Sequence, residues 1–165
     1  MTSQDNSSRS GDVESRNLLY HKFSCYNNAI KQELYMIDHG NEPFITNIET
    51  ATLENNNFRT TLWTGANLQL TLMSLQPGED IGLEVHTDHD QFLRIEQGSA
   101  TVHMGPDEAV LEEQQAGADD AIFVPAGTWH NVINTGDDVL KLYSIYAPPE
   151  HPHGTVHATK ADAVE

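Results

Sequence analysis

The chain has 165 residues, with 25 acidic and 8 basic side chains and a formal charge of −17. That length builds one domain with a real core and is too short for two ordinary ones. Such a charge repels phosphate backbones and anionic lipid, so neither a nucleic-acid nor a membrane partner is expected, and the single cysteine, Cys25, excludes an intramolecular disulfide and a cysteine-rich zinc module.

Residues 1–17 are rich in Ser, Asn, Asp and Gly and carry little to bury, which predicts a disordered tail. The stretch has no apolar segment of the secretory type, and no run approaches a transmembrane helix. With one cysteine, this gives the expectation of a cytoplasmic protein. Residues 18–56 are expected to pack on the main domain rather than form their own. Within them Ile30, Leu34 and Ile37 fall near helical spacing and Gly40 is a natural stop, which predicts one short helix. The following "PFITNIETATL" reads as extended.

From there the pattern changes to short apolar runs broken by turn chemistry. Strands are predicted near Phe58–Thr64, Leu68–Leu75, Gly82–His86, Gln91–Gln97, Ala100–Met104, Ala121–Val124, His130–Asn134 and Val139–Tyr146. The breaks "QPGED", "EQGS", "MGPDE", "PAGT" and "NTGDD" each carry Gly with Pro, Asn, Asp or Ser. Many short strands with few helices point to a β-sandwich or barrel over residues 57–147. Residues 148–165 open with two prolines and read as an arm over the surface.

On a strand through "GLEVH", Leu83 and Val85 take one face while Glu84 and His86 take the other. Alone, that is an ordinary half-buried strand with its polar face in water. The next strand argues against so simple an account, because Gln91 shares a face with Leu93 and Ile95. A buried amide needs partners, from a metal, a ligand or a neighbouring backbone. Arg94 falls on the opposite face, where a salt bridge is expected. His103 is expected on the face of Ser99 and Thr101. The tail "HPHGTVH" groups His151, His153 and His157 without a carboxylate at a set spacing, a weak metal signal.

The stretch from Gly78 to Gly98 resembles the first motif of the cupins, small double-stranded β-helix barrels: a glycine, five residues, His-x-His, three or four residues, Glu, six residues, glycine. Here Glu84 and His86 hold the His-x-His places and Gln91 holds the Glu place. The second cupin motif is Gly, five residues, Pro-x-Gly, two residues, His, three residues, Asn. Asp119 stands for its opening glycine, and Pro125, Gly127, His130 and Asn134 fill the rest.

The resemblance, to small single-domain bacterial cupins, implies an all-β jelly-roll barrel with a short N-terminal helix. It also implies that Glu84, His86, Gln91 and His130 meet inside as metal ligands. His89, Asp88 and Asp90 are expected on the connecting turn, in solvent or behind the ligands. The commonest cupin set is three His and one Glu; two His, one Glu and one Gln is similar in chemistry to phosphomannose isomerases, with the Glu and Gln places exchanged. Such donors suit one divalent Fe, Mn, Ni or Zn ion.

No activated nucleophile or phosphate-binding loop stands out in the chain. Any chemistry is therefore expected at the metal, of oxygenase or isomerase type, on a small organic substrate. Glu84 is the candidate catalytic base should it leave the metal. The competing expectation is a non-catalytic barrel that binds a sugar or another metabolite. Arg59, Arg94 and Lys141 are the basic residues of the barrel region, too few to favour a phosphosugar over a neutral or weakly charged substrate. The resemblance further implies a homodimer, with Leu83, Val85 and the N-terminal segment as apolar contact surface.

Overall fold

The structure, a computed structural model, describes residues 37–163. Ten strands follow in order: β1 (Arg59–Thr64), β2 (Gln69–Leu75), β3 (Glu84–Val85), β4 (Asp90–Gln97), β5 (Ser99–Asp107), β6 (Val110–Gly117), β7 (Ala121–Val124), β8 (Trp129–Asn134), β9 (Leu140–Ala147) and β10 (Val156–His157). One sheet runs β10-β1-β2-β9-β4-β7 and the other β3-β8-β5-β6. All described pairings are antiparallel. This is the jelly-roll arrangement, and among the described residues no helix is long and apolar enough to cross a membrane.

Alternation along the strands builds the interior. On β4, Gln91, Leu93 and Ile95 are buried while Phe92, Arg94 and Glu96 are only partly covered. With Met73, Leu75, Val102, Ile122, Val132, Leu140 and Leu142, the inward residues form the apolar core between the sheets. The outer face of the larger sheet is covered too, where Leu62, Leu72 and Tyr143 pack with Ala51 and Ile48. Arg94 lies outward as expected, its guanidinium 2.9 Å from Glu96 and 2.6 Å from Asp119.

Two of the motif positions are explained by backbone geometry. Gly98, between β4 and β5, has φ +95°, and a Cβ there would stand 3.1 Å from the Leu140 Cα. Asp119, in a motif place that is glycine elsewhere, has φ +73°, and Asp is among the residues that tolerate this region.

Three expectations are corrected. The segment read as extended contains helix α1 (Ile48–Glu54), because Asn47 caps it: its side chain accepts the Thr50 N–H at 3.0 Å, with Glu49 in the first turn. The helix packs against β2, β4 and β9, with Ile48 and Ala51 in the cluster there. Strand β6 was not foreseen, since "VLEEQQAG" is largely exposed and held by backbone pairing to β5 rather than by an apolar face. The C-terminal arm is more than a surface cover, for it contributes β10 to the edge of β1. The tail of residues 1–17 and most of the helix expected around Ile30–Ile37 lie outside the described residues; Ile37–Gly40 form a bend and a turn.

Candidate metal centre

Strands β3 and β8 pair with Glu84 directly opposite His130, which puts both side chains on one face. The turn entering β8 fixes their surroundings. Its Gly127 N–H donates to the His86 carbonyl at 2.6 Å, and Thr128 N–H donates to the Pro125 carbonyl at 3.1 Å. The same turn sets the His130 tautomer. Its Nδ1 lies 3.0 Å from the Thr128 carbonyl, which only accepts, so Nδ1 carries a proton and Nε2 is the nitrogen left for the site.

Nε2 faces Glu84. Glu84 Oε1 stands 3.3 Å from His130 Nε2 and 3.3 Å from His86 Nε2. All three atoms are buried without a hydrogen-bond partner. They lie within 4.8 Å of one another, a group able to hold a metal ion. Burial pushes the Glu84 carboxyl up, but the imidazoles of His130 and His86 outweigh it and bring it down to about 2. Burial alone lowers His86; the Glu84 carboxylate outweighs it and raises the imidazole above its ordinary value.

Gln91 sits directly opposite Tyr146 on β9, facing inward. Its amide nitrogen donates to Ser144 Oγ at 2.9 Å, which leaves the carbonyl oxygen buried and unpartnered. It is thus the kind of free oxygen donor the sequence suggested, on the strand next to the site. The Tyr146 ring lies 5.8 Å from that of His86, and burial holds its hydroxyl protonated far above the ordinary range.

Of the two places expected for His89, solvent or behind the ligands, the structure shows the second. It is 6% exposed and its ring stacks on His86 at 4.3 Å. Asp88 Oδ1 lies 3.0 Å from its Nδ1, so Nε2 points inward, 3.4 Å from Glu150 Oε2. His86, His89 and Glu150 form a second group with metal-holding spacing. The spacing of three from His86 was a signal available for His89; Glu150, on the C-terminal arm, had none. Asp88 is exposed, and Asp90 accepts the Ala126 N–H at 2.9 Å.

A cavity of about 250 Å³ opens beside Glu84, lined also by Glu150, His151, Phe58, Arg59 and Lys160. The tail histidines do not act together. His151 turns inward with its ring edge-on to Tyr146 at 5.2 Å, whereas His153 donates outward to the Gly40 carbonyl at 3.0 Å. His103 pairs with Glu113 of β6 at 3.5 Å, away from the centre. Lys141 is buried but reaches the Asn55 carbonyl, which takes it out of the site. Asn134, the last motif residue, is a clamp: its amide donates to the carbonyls of Leu75 and Asp138, both at 2.9 Å.

Comparison with known proteins agrees with this fold. The cupin-domain family model matches residues 71–146. The chain belongs to the cupins. The uncharacterized Bacillus subtilis protein YrkC is 63% identical to this cupin over 134 residues, 81% of this chain and 72% of that protein. The uncharacterized mimivirus protein L612 is 42% identical over 122 residues, covering 73% of this chain and 75% of that one. The crystal structure of BH2720 from Bacillus halodurans superposes with a TM-score of 0.76 at 60% identity, over 77% of this cupin and 97% of that chain.

Proposed function

We propose that this cupin holds one divalent transition metal, Fe, Mn, Ni or Zn, on Glu84, His86, His130 and Gln91. We further propose that it acts there on a small organic substrate in oxygenase- or isomerase-type chemistry. One observation carries this reading: a carboxylate oxygen and two imidazole nitrogens converge in the barrel, buried and without hydrogen-bond partners. Unsatisfied buried polar atoms are costly, and a cation relieves all of them together. Two imidazoles with a carboxylate and an amide oxygen fit these ions by donor chemistry.

When bound, such an ion supplies Lewis acidity toward a carbonyl or, if redox-active, access to O₂ chemistry. The chain's own residues do the rest. Thr128 orients His130 so that its free nitrogen faces inward. Glu84, held at about 2, is ionised at every physiological pH and is a weak base. That supports ligation by Glu84 over proton abstraction, since an efficient base has a pKa near the working pH. Tyr146, protonated, and the apolar barrel keep the inner side closed to solvent.

Metal content of untagged protein tests the reading, compared with His86→Ala and His130→Ala. About one equivalent in the wild type, lost in both variants, supports the centre, and the ion's identity then directs oxygen-uptake or isomerisation assays. No metal after anaerobic reconstitution with each candidate ion would falsify it. A loaded protein without turnover on such panels would favour the second reading, a non-catalytic binder, which the cavity beside Glu84 also suits.

A further inference from the structure

The basic residues of the barrel differ in one respect. Arg94 has Glu96 and Asp119, and Lys141 has the Asn55 carbonyl and Asn56. Arg59 has neither an ion pair nor a hydrogen bond among the described residues. It is 5% exposed, its Nε is buried without a partner, and the Phe58 ring lies 5.7 Å from its Cζ. A buried, unpaired guanidinium is costly in a folded chain, and an anion is the ligand that removes the cost.

Arg59 lines the same cavity as Glu84, and Lys160 lines it from the C-terminal arm, its Nζ 2.8 Å from Asp80. We infer that Arg59, assisted by Lys160, forms an anion subsite beside Glu84, and that the ligand of this cavity is a small organic carboxylate. The inference rests on the metal reading for its charge balance. Glu84, Glu150 and the Asp80 paired with Lys160 exceed Arg59 and Lys160 by one charge, so a divalent ion leaves the cavity with one net positive charge, suited to an anion. His151, the remaining titratable group lining it, is neutral, kept so first by burial and then by the Arg59 charge. A cavity of about 250 Å³ holds a molecule of few carbons. The planar fork of a guanidinium matches a carboxylate in two parallel hydrogen bonds.

The test titrates malonate and its neutral analogue malonamide into untagged protein of measured metal content, by calorimetry at constant ionic strength. Malonate is expected to bind at least about tenfold more tightly than malonamide. Arg59→Gln should lose at least about tenfold of the malonate affinity with metal content unchanged, and Lys160→Gln about threefold. Because Arg59 has no partner, Arg59→Gln should unfold no earlier than the wild type. If that variant does not fold, Arg59→Lys replaces it, and should still lose about threefold because it keeps the charge without the fork. Equal affinity for malonate and malonamide, or malonate affinity untouched in the Arg59 variant, overturns the inference; the second result would assign malonate binding to the metal alone. Wild type that stays metal-free after anaerobic reconstitution, yet whose malonate binding still requires Arg59, refutes the metal reading and supports the subsite.

Discussion

Gln69 grips the backbone of His151 from both sides. Its amide nitrogen donates to the His151 carbonyl at 2.7 Å, and its side-chain oxygen accepts the His151 N–H at 2.9 Å. Gln69 lies on β2, 82 residues away in sequence, fully buried and directly opposite Tyr146. This clasp holds the start of the C-terminal arm over the barrel, and with it Glu150 and His151 at the cavity.

Gln69→Ala should therefore loosen the arm before it unfolds the barrel. Losing two backbone hydrogen bonds from a buried clasp costs about 1–3 kcal/mol. Hydrogen exchange should show the His151 amide losing protection while β4 and β9 keep theirs. Unchanged exchange at His151 would mean that β10 holds the arm without the clasp.

Stability of the metal-free protein should fall as pH drops below neutral. His151 goes from an ordinary value of 6.5 to about 3 in the fold, mainly through burial and secondarily through Arg59. The unfolded chain thus takes up the proton first, and stability declines between pH 6.5 and about 3. Glu84 adds its loss at lower pH: its contribution is complete above 4.5 and disappears as pH falls through about 2. His86, raised in the fold, acts oppositely; its contribution is present below 6.5 and is lost as pH rises through its folded value. One group titrating between such limits gives a slope of at most about 1.4 kcal/mol per pH unit. Urea unfolding of chelator-treated protein between neutrality and pH ~4.5 should show the decline, flattened in His151→Gln.

Lys141 ties α1 to the sheet. It is 6% exposed, donates to the Asn55 carbonyl at the helix C-cap, and reaches Asn56 Oδ1 at 3.1 Å. Burial lowers its pKa, so the contacts come at a desolvation cost. Lys141→Ala should destabilise by about 2 kcal/mol, since charged donors lose more than neutral ones. Metal content should stay at the wild-type level, because the contact lies on the outer side of the sheet. Thermal unfolding and metal analysis together check both halves.

The homodimer implied by the cupin resemblance is proposed to use outward apolar residues. Leu83 is 42% exposed on the edge leading into β3, and Phe123 of β7 is 69% exposed. Light scattering should give twice the chain mass for the wild type and a monomer for Leu83→Glu. A wild-type monomer at high concentration would refute the dimer.

Particular residues show how much was legible. The interior of β4 was readable because Gln91, Leu93 and Ile95 alternate with Phe92, Arg94 and Glu96, and strand geometry converts alternation into burial. The turn residues were readable because Gly98 and Asp119 occupy backbone regions few residue types accept. The helix at Ile48–Glu54 was misread because its cap is a single Asn and its composition is β-branched, where propensity is weak against packing. Strand β6 was invisible because an exposed edge strand needs no apolar period.

The sequence carried the strand pattern of the barrel and, through its resemblance to the cupins, the four expected ligands Glu84, His86, Gln91 and His130. Alternation within one strand gives Glu84 and His86 a common face, whereas His130 comes opposite Glu84 only through the pairing of β3 with β8. Only the tertiary structure decided what surrounds them. Whether Arg59 lines the cavity beside Glu84 or faces water, and whether Glu150 and His151 return to the site, depends on contacts between residues far apart along the chain. Nothing within one strand or turn encodes such contacts; they exist because β10 pairs with β1 and Gln69 holds His151 in place.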